Sequence, residues 1–167
     1  MFIRTSKRVI IIFKMEEQKK EGRYGRIYKQ LSELVLKSNN ASARMATIIA
    51  ILHHKMEYFF WTGFYLIEDE ELTVNMYQGP VACQILEKGN GVCWASFNSK
   101  ETVVVQDVQS FPNHISCDSR SNSEIVIPFK NKIGEIIGVL DVDSSEPASF
   151  SEVDAKWLKK ILELIWV

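Results

Sequence analysis

Residues 124–143 read EIVIPFKNKIGEIIGVLDVD, and this stretch decides the fold. Two apolar runs, 124–130 and 135–143, flank a polar turn at 131–134. Both runs are rich in β-branched residues and have the length of strands. Because a short turn joins consecutive strands in antiparallel order, this hairpin predicts an antiparallel sheet.

Acidic side chains lie in line with apolar ones on the second strand of this hairpin. Alternation along the strand predicts two sets, Ile137, Val139, Asp141 and Asp143 on one face and Leu140 and Val142 on the other. A carboxylate among apolar neighbours is costly to bury unless it meets a partner or a ligand. Asp143 is also consistent with a solvated strand end, whereas Asp141 lies inside the apolar run and Glu124 begins the first strand. Three acids facing one cavity could bind an amino group, and one that keeps its proton could act as a proton donor.

The rest of the chain supplies helices and further strands around this hairpin. Periodicity and turn residues predict helices at 22–37 and 41–57, strands at 59–67, 72–77 and 102–105, and a short helix after the glycines at 89 and 91. A capping box at 151–154 opens a last helix. Terminal helices over an antiparallel sheet predict a single α+β domain in two layers.

Composition narrows the class of protein. The net charge is −1 over 167 residues, so no basic footprint for nucleic acid is present. No apolar run approaches the roughly 20 residues that a membrane span needs, and no secretory signal is recognisable, so we expect a cytoplasmic protein. We expect residues 1–21 to be an N-terminal extension and 22–167 to be the domain. His53 and His54 have no further ligands at metal-binding spacing, so no metal is expected there.

Three cysteines, Cys83, Cys93 and Cys117, make an odd number. An odd count in a cytoplasmic chain argues against a structural disulfide framework, and free cysteines are often small buried hydrophobes. Cys117 ends a loop instead of lying in an apolar strand, which favours a reactive thiol. Asp118 beside it opposes thiolate formation, so Arg120 or backbone N–H groups would have to stabilise the anion. Packing and redox roles both stay open at this point.

Six ordered blocks carry a family resemblance. They are WTGFY (61–65), AC (82–83), GNGVC (89–93), FPNHISCD (111–118), SEIV (123–126) and GVLDVDS (138–144). Together they resemble the free methionine-(R)-sulfoxide reductases, which are built on a GAF domain. The resemblance extends from about residue 24 to residue 165, and it implies a GAF-like fold with helices on one face of the sheet and a ligand pocket on the other.

The resemblance implies a role for each site residue. Cys117 matches the nucleophile that becomes a sulfenic acid, Cys83 the thiol that resolves it as a disulfide, and Cys93 a third cysteine that can share this role. The remaining matches are acids that hold the substrate and assist departure of the sulfoxide oxygen, Glu124, Asp141 and Asp143, and an aromatic wall of Trp61 and Tyr65. We expect backbone N–H groups near Ser116 and Cys117 to hold the substrate carboxylate, and we expect Ser116 and Asp118 to be among the substrate-binding residues.

The implied substrate is free L-methionine (R)-sulfoxide, and the implied reductant is thioredoxin, with no bound cofactor. A homodimer is compatible with the resemblance. Trp94 replaces a usual glycine, so the loop there would be tighter or the pocket partly filled, and Asn113 and Ser116 replace a usual glycine and alanine. The competing hypothesis is a non-catalytic GAF module that binds a small ligand or senses oxidants through Cys117.

Overall fold

The computed structural model describes residues 3–114 and 117–167 of the chain. Four helices and six strands follow one another in the order predicted, with one short strand added. Their bounds are α1 Ile3–Leu34, α2 Ala41–Lys55, β1 Trp61–Glu68, β2 Glu71–Gln78, β3 Ile85–Leu86, α3 Gly91–Ser99, β4 Val103–Val105, β5 Ser123–Lys130, β6 Ile136–Ser144 and α4 Glu152–Glu163. The two-residue strand β3 was not predicted, since a run this short has no period.

The strands form one antiparallel sheet in the order β3-β2-β1-β6-β5-β4. The predicted hairpin is β5 and β6, and β6 lies at the centre of the sheet beside β1. Hydrogen bonds on both sides hold the backbone of β6 in place. Side chains on β6 are therefore set in a fixed direction, which is what a precise site requires.

Helices α1, α2 and α4 cover one face of the sheet. Their apolar sides pack with the strand residues that point the same way, including Phe64, Ile125, Leu140 and Val142. A second, smaller cluster lies on the opposite face, where Trp61, Tyr65 and Val139 pack with helix α3. The α+β fold, with three helices on one face and a cavity on the other, is confirmed.

Ile137 departs from the predicted alternation. It packs with the helix-side cluster, although Val139 points to the opposite face. Pairing passes from Phe129 opposite Gly138 to Lys130 opposite Ile136, so Ile137 is an extra residue in the ladder. Such a bulge shifts the alternation by one position.

The first helix begins at Ile3, well before the predicted start at Gly22. It passes without a break through the predicted domain boundary, which itself stays a prediction. Lys20 contacts the start of α4, with its Nζ 2.7 Å from Asp154 Oδ2 and 2.7 Å from Ser149 O. The end of the predicted extension therefore packs against the domain, a contact over more than a hundred residues of sequence that periodicity does not reveal.

Within residues 3–114 and 117–167, no helix is long and apolar enough to cross a membrane.

Candidate active site

A small cavity opens on the sheet face opposite the three large helices. Its volume is about 50 Å³. Most of the residues singled out in the sequence line it: Trp61, Tyr65, Cys93, Cys117, Asp118, Glu124, Asp141 and Asp143. Cys83 adjoins the cavity through its bond to Cys117. Ser116 lies outside the described residues.

Cys83 and Cys117 form a disulfide at the mouth of the cavity. Their Cα atoms are 5.5 Å apart although 34 residues separate them in sequence. Each lies in a loop, Cys117 exposed and Cys83 half-buried, so the bond is reachable from solvent. The pairing agrees with the one that the resemblance implied, and Cys93 stays a free, buried thiol. A disulfide on two surface loops can form and open without disturbing the sheet.

Strand register brings the three acids together. Glu124 on β5 stands directly opposite Asp143 on β6, and Asp141 is two residues along on the same face. Glu124 and Asp141 are buried, at 5% and 7% exposure, and Asp143 is partly buried. Alternation in the sequence predicted this shared face, and the structure places all three carboxyl groups on the cavity.

The pKa of each of these acids is raised. For Glu124 and Asp141 the main cause is burial, and the charge of neighbouring carboxylates adds to it. Burial likewise raises the pKa of Asp143 to about 7, and a hydrogen bond from Ser121 opposes part of this rise. Because burial and repulsion by nearby carboxylates raise the pKa of all three acids, the cavity retains at least one proton near neutral pH.

Cys93 lies on the first turn of α3, beneath the disulfide. Its thiol is 5% exposed, and burial together with the adjacent Asp141 raises its pKa well above the usual value. Cys93 is therefore a neutral thiol in this state and a poor nucleophile.

Two cavity residues carry buried polar atoms without a hydrogen-bond partner among the described residues. These atoms are Oδ1 of Asp141 and both ring nitrogens of His114. Burial lowers the pKa of His114, so its imidazole is neutral at pH 7. Unsatisfied buried polar atoms are rare in folded proteins. Their presence in one cavity indicates a binding site for a polar ligand.

Aromatic side chains form one wall of the cavity. The Trp61 ring stacks on Tyr65 at 5.7 Å and on Tyr77 at 5.4 Å between centroids. Gly63 makes room for this stack, since a Cβ there would lie 2.5 Å from Tyr77 Cβ. The Tyr65 hydroxyl donates to Cys83 O at 3.2 Å, and the Trp61 Nε1 donates to Pro80 O at 3.1 Å. The wall is therefore held rigidly against the disulfide loop.

Asp118 is paired with Arg120. The guanidinium Nε and Nη2 donate to the two carboxylate oxygens at 2.9 and 2.6 Å, and these bonds lower the pKa of Asp118 to about 2. Arg120 also lies over the Phe60 ring. The negative charge expected to oppose a thiolate at Cys117 is thus compensated by the adjacent arginine.

Several cavity residues were not identified from the sequence as site residues, among them Phe60, His114 and Ser121. Phe60 precedes the first residue of β1, and His114 and Ser121 lie in the loops on either side of Cys117. Side chains in loops follow no periodic pattern. Only the position of His114 within the block at 111–118 could have indicated that it is a site residue.

The two departures from the family pattern that lie in described residues have local explanations. Trp94 is a buried residue of α3, with its Nε1 donating to Leu86 O at 3.2 Å, and it is not among the cavity-lining residues. Asn113 has a φ of 52°, in the left-handed region that glycine and asparagine adopt most readily. Neither departure fills the cavity.

Comparison with known proteins identifies the class and then the family. A family model described as GAF domain matches residues 45–167, so the fold and the cavity define a GAF-domain protein. GAF domain-containing protein A from Dictyostelium discoideum is 46% identical over 147 residues, covering 87% of this chain and 92% of that protein.

Two relatives identify the family within the GAF-domain proteins. Free methionine-R-sulfoxide reductase from Escherichia coli is 34% identical over 139 residues, covering 83% of this chain and 84% of that protein. The X-ray structure of free methionine-R-sulfoxide reductase from Neisseria meningitidis, in complex with its substrate, has a TM-score of 0.83 at 38% identity and covers 88% of each chain. The chain belongs to the free methionine-R-sulfoxide reductase family.

Proposed function

We propose that this protein reduces free L-methionine (R)-sulfoxide to methionine, with thioredoxin as the final reductant. One observation carries the proposal: an accessible Cys83–Cys117 disulfide closes a cavity whose acids have raised pKa values. A thiol that can be oxidised and reduced beside a proton donor is what sulfoxide reduction requires.

In the first step, the Cys117 thiolate attacks the sulfoxide of the bound substrate. The sulfoxide oxygen passes to Cys117, which becomes a sulfenic acid, and methionine leaves with its sulfur reduced by two electrons. Oxygen leaves carbon-bound sulfur readily only when it is protonated. The proton comes from the group of Glu124, Asp141 and Asp143, whose raised pKa values keep a carboxyl group protonated near pH 7.

In the second step, the Cys83 thiol attacks the sulfenic sulfur of Cys117 and water leaves. The product is the Cys83–Cys117 disulfide, with Cα atoms at 5.5 Å, a normal spacing for this bond. Cys93 lies deeper and keeps its proton, which supports Cys83 as the main resolving thiol.

In the third step, thioredoxin reduces this disulfide by thiol–disulfide exchange. Cys117 is exposed, so an incoming dithiol can reach it. The cycle needs an external reductant and no bound cofactor. Because a disulfide that must be reopened in every turnover suits a reducing compartment, we propose a cytoplasmic location.

With the disulfide reduced and its two loops moved apart, the cavity lining suits a small zwitterion. Acidic side chains on one side can hold the substrate ammonium, and the Trp61–Tyr65 wall can pack against its methyl group and thioether. We place the substrate carboxylate at backbone N–H groups near Ser116 and Cys117, where Asp118 is already paired with Arg120. The homodimer stays a prediction that sedimentation analysis can test.

The test is NADPH consumption with thioredoxin and thioredoxin reductase, using the R and S epimers of free methionine sulfoxide separately. We expect turnover of the R epimer alone and none with Cys117→Ser, while Cys83→Ser should stall after about one turnover. Turnover of neither epimer by folded, reduced protein would overturn the proposal in favour of a ligand-binding or oxidant-sensing GAF module.

A further inference from the structure

A thiol and two carboxyl groups meet at the bottom of the cavity. One ligating atom from each of Cys93, Glu124 and Asp141 lies within 4.8 Å of the others, and all three residues are buried. They come from α3, β5 and β6, the parts of the molecule around the cavity that are held by regular hydrogen bonds. The cluster is therefore fixed by the fold, whereas the disulfide lies on loops.

A second, independent observation indicates that this cluster accepts a ligand. Asp141 is 7% exposed, and its Oδ1 has no hydrogen-bond partner among the residues that the structure describes. Nearby, both ring nitrogens of His114 on the same cavity are likewise without a described partner. A bound cation strongly stabilises a buried carboxylate oxygen that has no hydrogen-bond partner.

The size of the cavity restricts what the ligand can be. With the disulfide closed, the cavity measures about 50 Å³, whereas pockets for organic ligands usually measure about 300–1,000 Å³. An ion with one or two water molecules fits this space. An amino acid would need the disulfide loops to move apart.

We propose that the disulfide form of this protein binds one thiophilic divalent cation of the Zn²⁺ class through Cys93, Glu124 and Asp141. A sulfur ligand with two carboxylates selects Zn²⁺, Co²⁺ or Cd²⁺ over Mg²⁺ and Ca²⁺, which prefer oxygen alone. Zinc bonds of about 2.3 Å to sulfur and about 2.1 Å to oxygen place neighbouring ligands about 3.6 Å apart in a tetrahedron. The three ligand atoms, which lie within 4.8 Å of one another, would thus have to approach by at most about 1 Å, and water would take the fourth position.

Binding releases to solvent the Cys93 proton and any proton that Glu124 and Asp141 hold, since the metal takes the thiolate and the carboxylates. No electrons are transferred in this step. The same three groups are present when the disulfide is reduced, and a cation held there would occupy the acids that sulfoxide reduction requires and compete with the substrate. This last consequence rests on the proposed function, whereas the binding itself does not.

The test is titration of the disulfide form of the full chain with Co²⁺ and Cd²⁺ alone, followed by Zn²⁺ calorimetry. We expect one site per chain, tetrahedral cobalt absorption in the visible range and thiolate-to-cadmium absorption in the ultraviolet. Cys93→Ser should remove the thiolate band, and either Cys93→Ser or Asp141→Asn should weaken Zn²⁺ binding by about 100-fold or more, beyond the usual loss when a residue that only orients a metal ligand is replaced.

His54→Ala is the matched control, because His54 is an exposed residue on the opposite face whose side chain is of a type that can bind metals. The Zn²⁺ affinity of this variant should equal that of the wild type. Unchanged binding in both Cys93→Ser and Asp141→Asn, or loss of binding in His54→Ala, would overturn the proposal.

Inhibition is measured separately, as methionine release in a single turnover by pre-reduced protein, with and without Zn²⁺. We expect Zn²⁺ to inhibit the wild type more than Cys93→Ser, each relative to its own rate without metal. Metal binding in a protein that turns over neither epimer would support the site and reject the proposed enzyme, so the two failures are distinguishable.

Discussion

Two buried aspartates on opposite faces of the sheet differ in how their charge is met. Asp154, under the helices, is fully buried. It accepts bonds from Lys20 Nζ at 2.7 Å, Tyr24 OH at 2.8 Å and the Ser151 N–H at 2.8 Å, and also from the Tyr58 hydroxyl. These partners join α1 and α4 through one carboxylate. Asp154 is a structural acid.

Asp141, on the cavity face, is nearly as buried and has the opposite environment. Its neighbours are two other acids and a thiol, and its Oδ1 has no partner within 3–114 and 117–167. The comparison teaches that burial alone does not mark a functional acid. The fold supplies several donors for Asp154, whereas for Asp141 it supplies only other acidic groups, Cys93 and Glu124, and leaves Oδ1 open to a ligand.

The largest effect is expected from Cys117→Ser. Turnover should fall by more than about 1,000-fold, because serine is far less nucleophilic than a thiolate. Unfolding free energy should stay within about 0.5 kcal/mol of the reduced wild type, since Cys117 is exposed. Cys83→Ser is the control that also lacks the disulfide but keeps the nucleophile. Steady turnover by Cys117→Ser would reject the cavity as the reactive site.

Asp154→Asn should lower the stability of the protein without changing its activity. Removing the charge leaves Lys20 without its buried partner, which should lower the unfolding free energy by about 3 kcal/mol in urea denaturation. Turnover per folded molecule should stay unchanged, because Asp154 is remote from the cavity. A variant as stable as the wild type would show that the contacts between α1 and α4 contribute little.

Asp141→Asn should give the opposite result on the cavity face. Turnover of the R epimer should fall by about 100-fold, as is common when a proton donor or substrate-binding acid is removed. The unfolding free energy should stay equal or rise, because a buried, unsatisfied carboxyl group is replaced by a neutral amide. If Asp141→Asn were less stable than the wild type and turned over equally fast, Asp141 would be a structural residue like Asp154.

A smaller effect is expected from pH. The pKa of Asp143 is about 7 in the folded protein against 3.8 ordinarily, so the folded state holds this proton more tightly than the unfolded chain. Its contribution to stability is therefore present below about pH 4 and is lost as pH rises towards about 7. Asp143→Asn should gain stability relative to the wild type as the pH rises from about 4 to about 7 in urea denaturation. Parallel behaviour of the two proteins would contradict the raised pKa.

The same proton should govern activity. A donor with a pKa of about 7 gives a rate that decreases at higher pH, by about tenfold per unit well above the pKa. The single-turnover rate of methionine release, measured as a function of pH, tests this decrease directly. A rate that stays constant to pH 9 would exclude Asp143 as the proton source.

Much of the fold was predictable, because local patterns determine it. The alternation along β6 placed Asp141 and Asp143 on one face, and the capping box at Ser151 and Asp154 marked the start of α4, as observed. The start of α1 was predicted too late. Its charged first half was interpreted as an extension, whereas Lys20 has its partner in Asp154, 134 residues away.

The candidate site was predictable in part. Strand periodicity could indicate the acids, but the pairing of Cys83 with Cys117 came from the family resemblance and not from spacing. His114 and Ser121 lie in loops, where no period indicates which side chains turn towards the cavity. The position of Cys93 beneath Asp141 depends on how α3 packs on the sheet, which no local pattern contains.

The most direct measurement is the stoichiometry of one turnover. Fully reduced protein is mixed with excess free methionine (R)-sulfoxide without thioredoxin, and methionine and the disulfides are quantified together. We predict one methionine per chain, with peptide mapping giving the Cys83–Cys117 disulfide and a free Cys93 thiol. No methionine from folded, reduced protein, or methionine without that disulfide, would contradict the account.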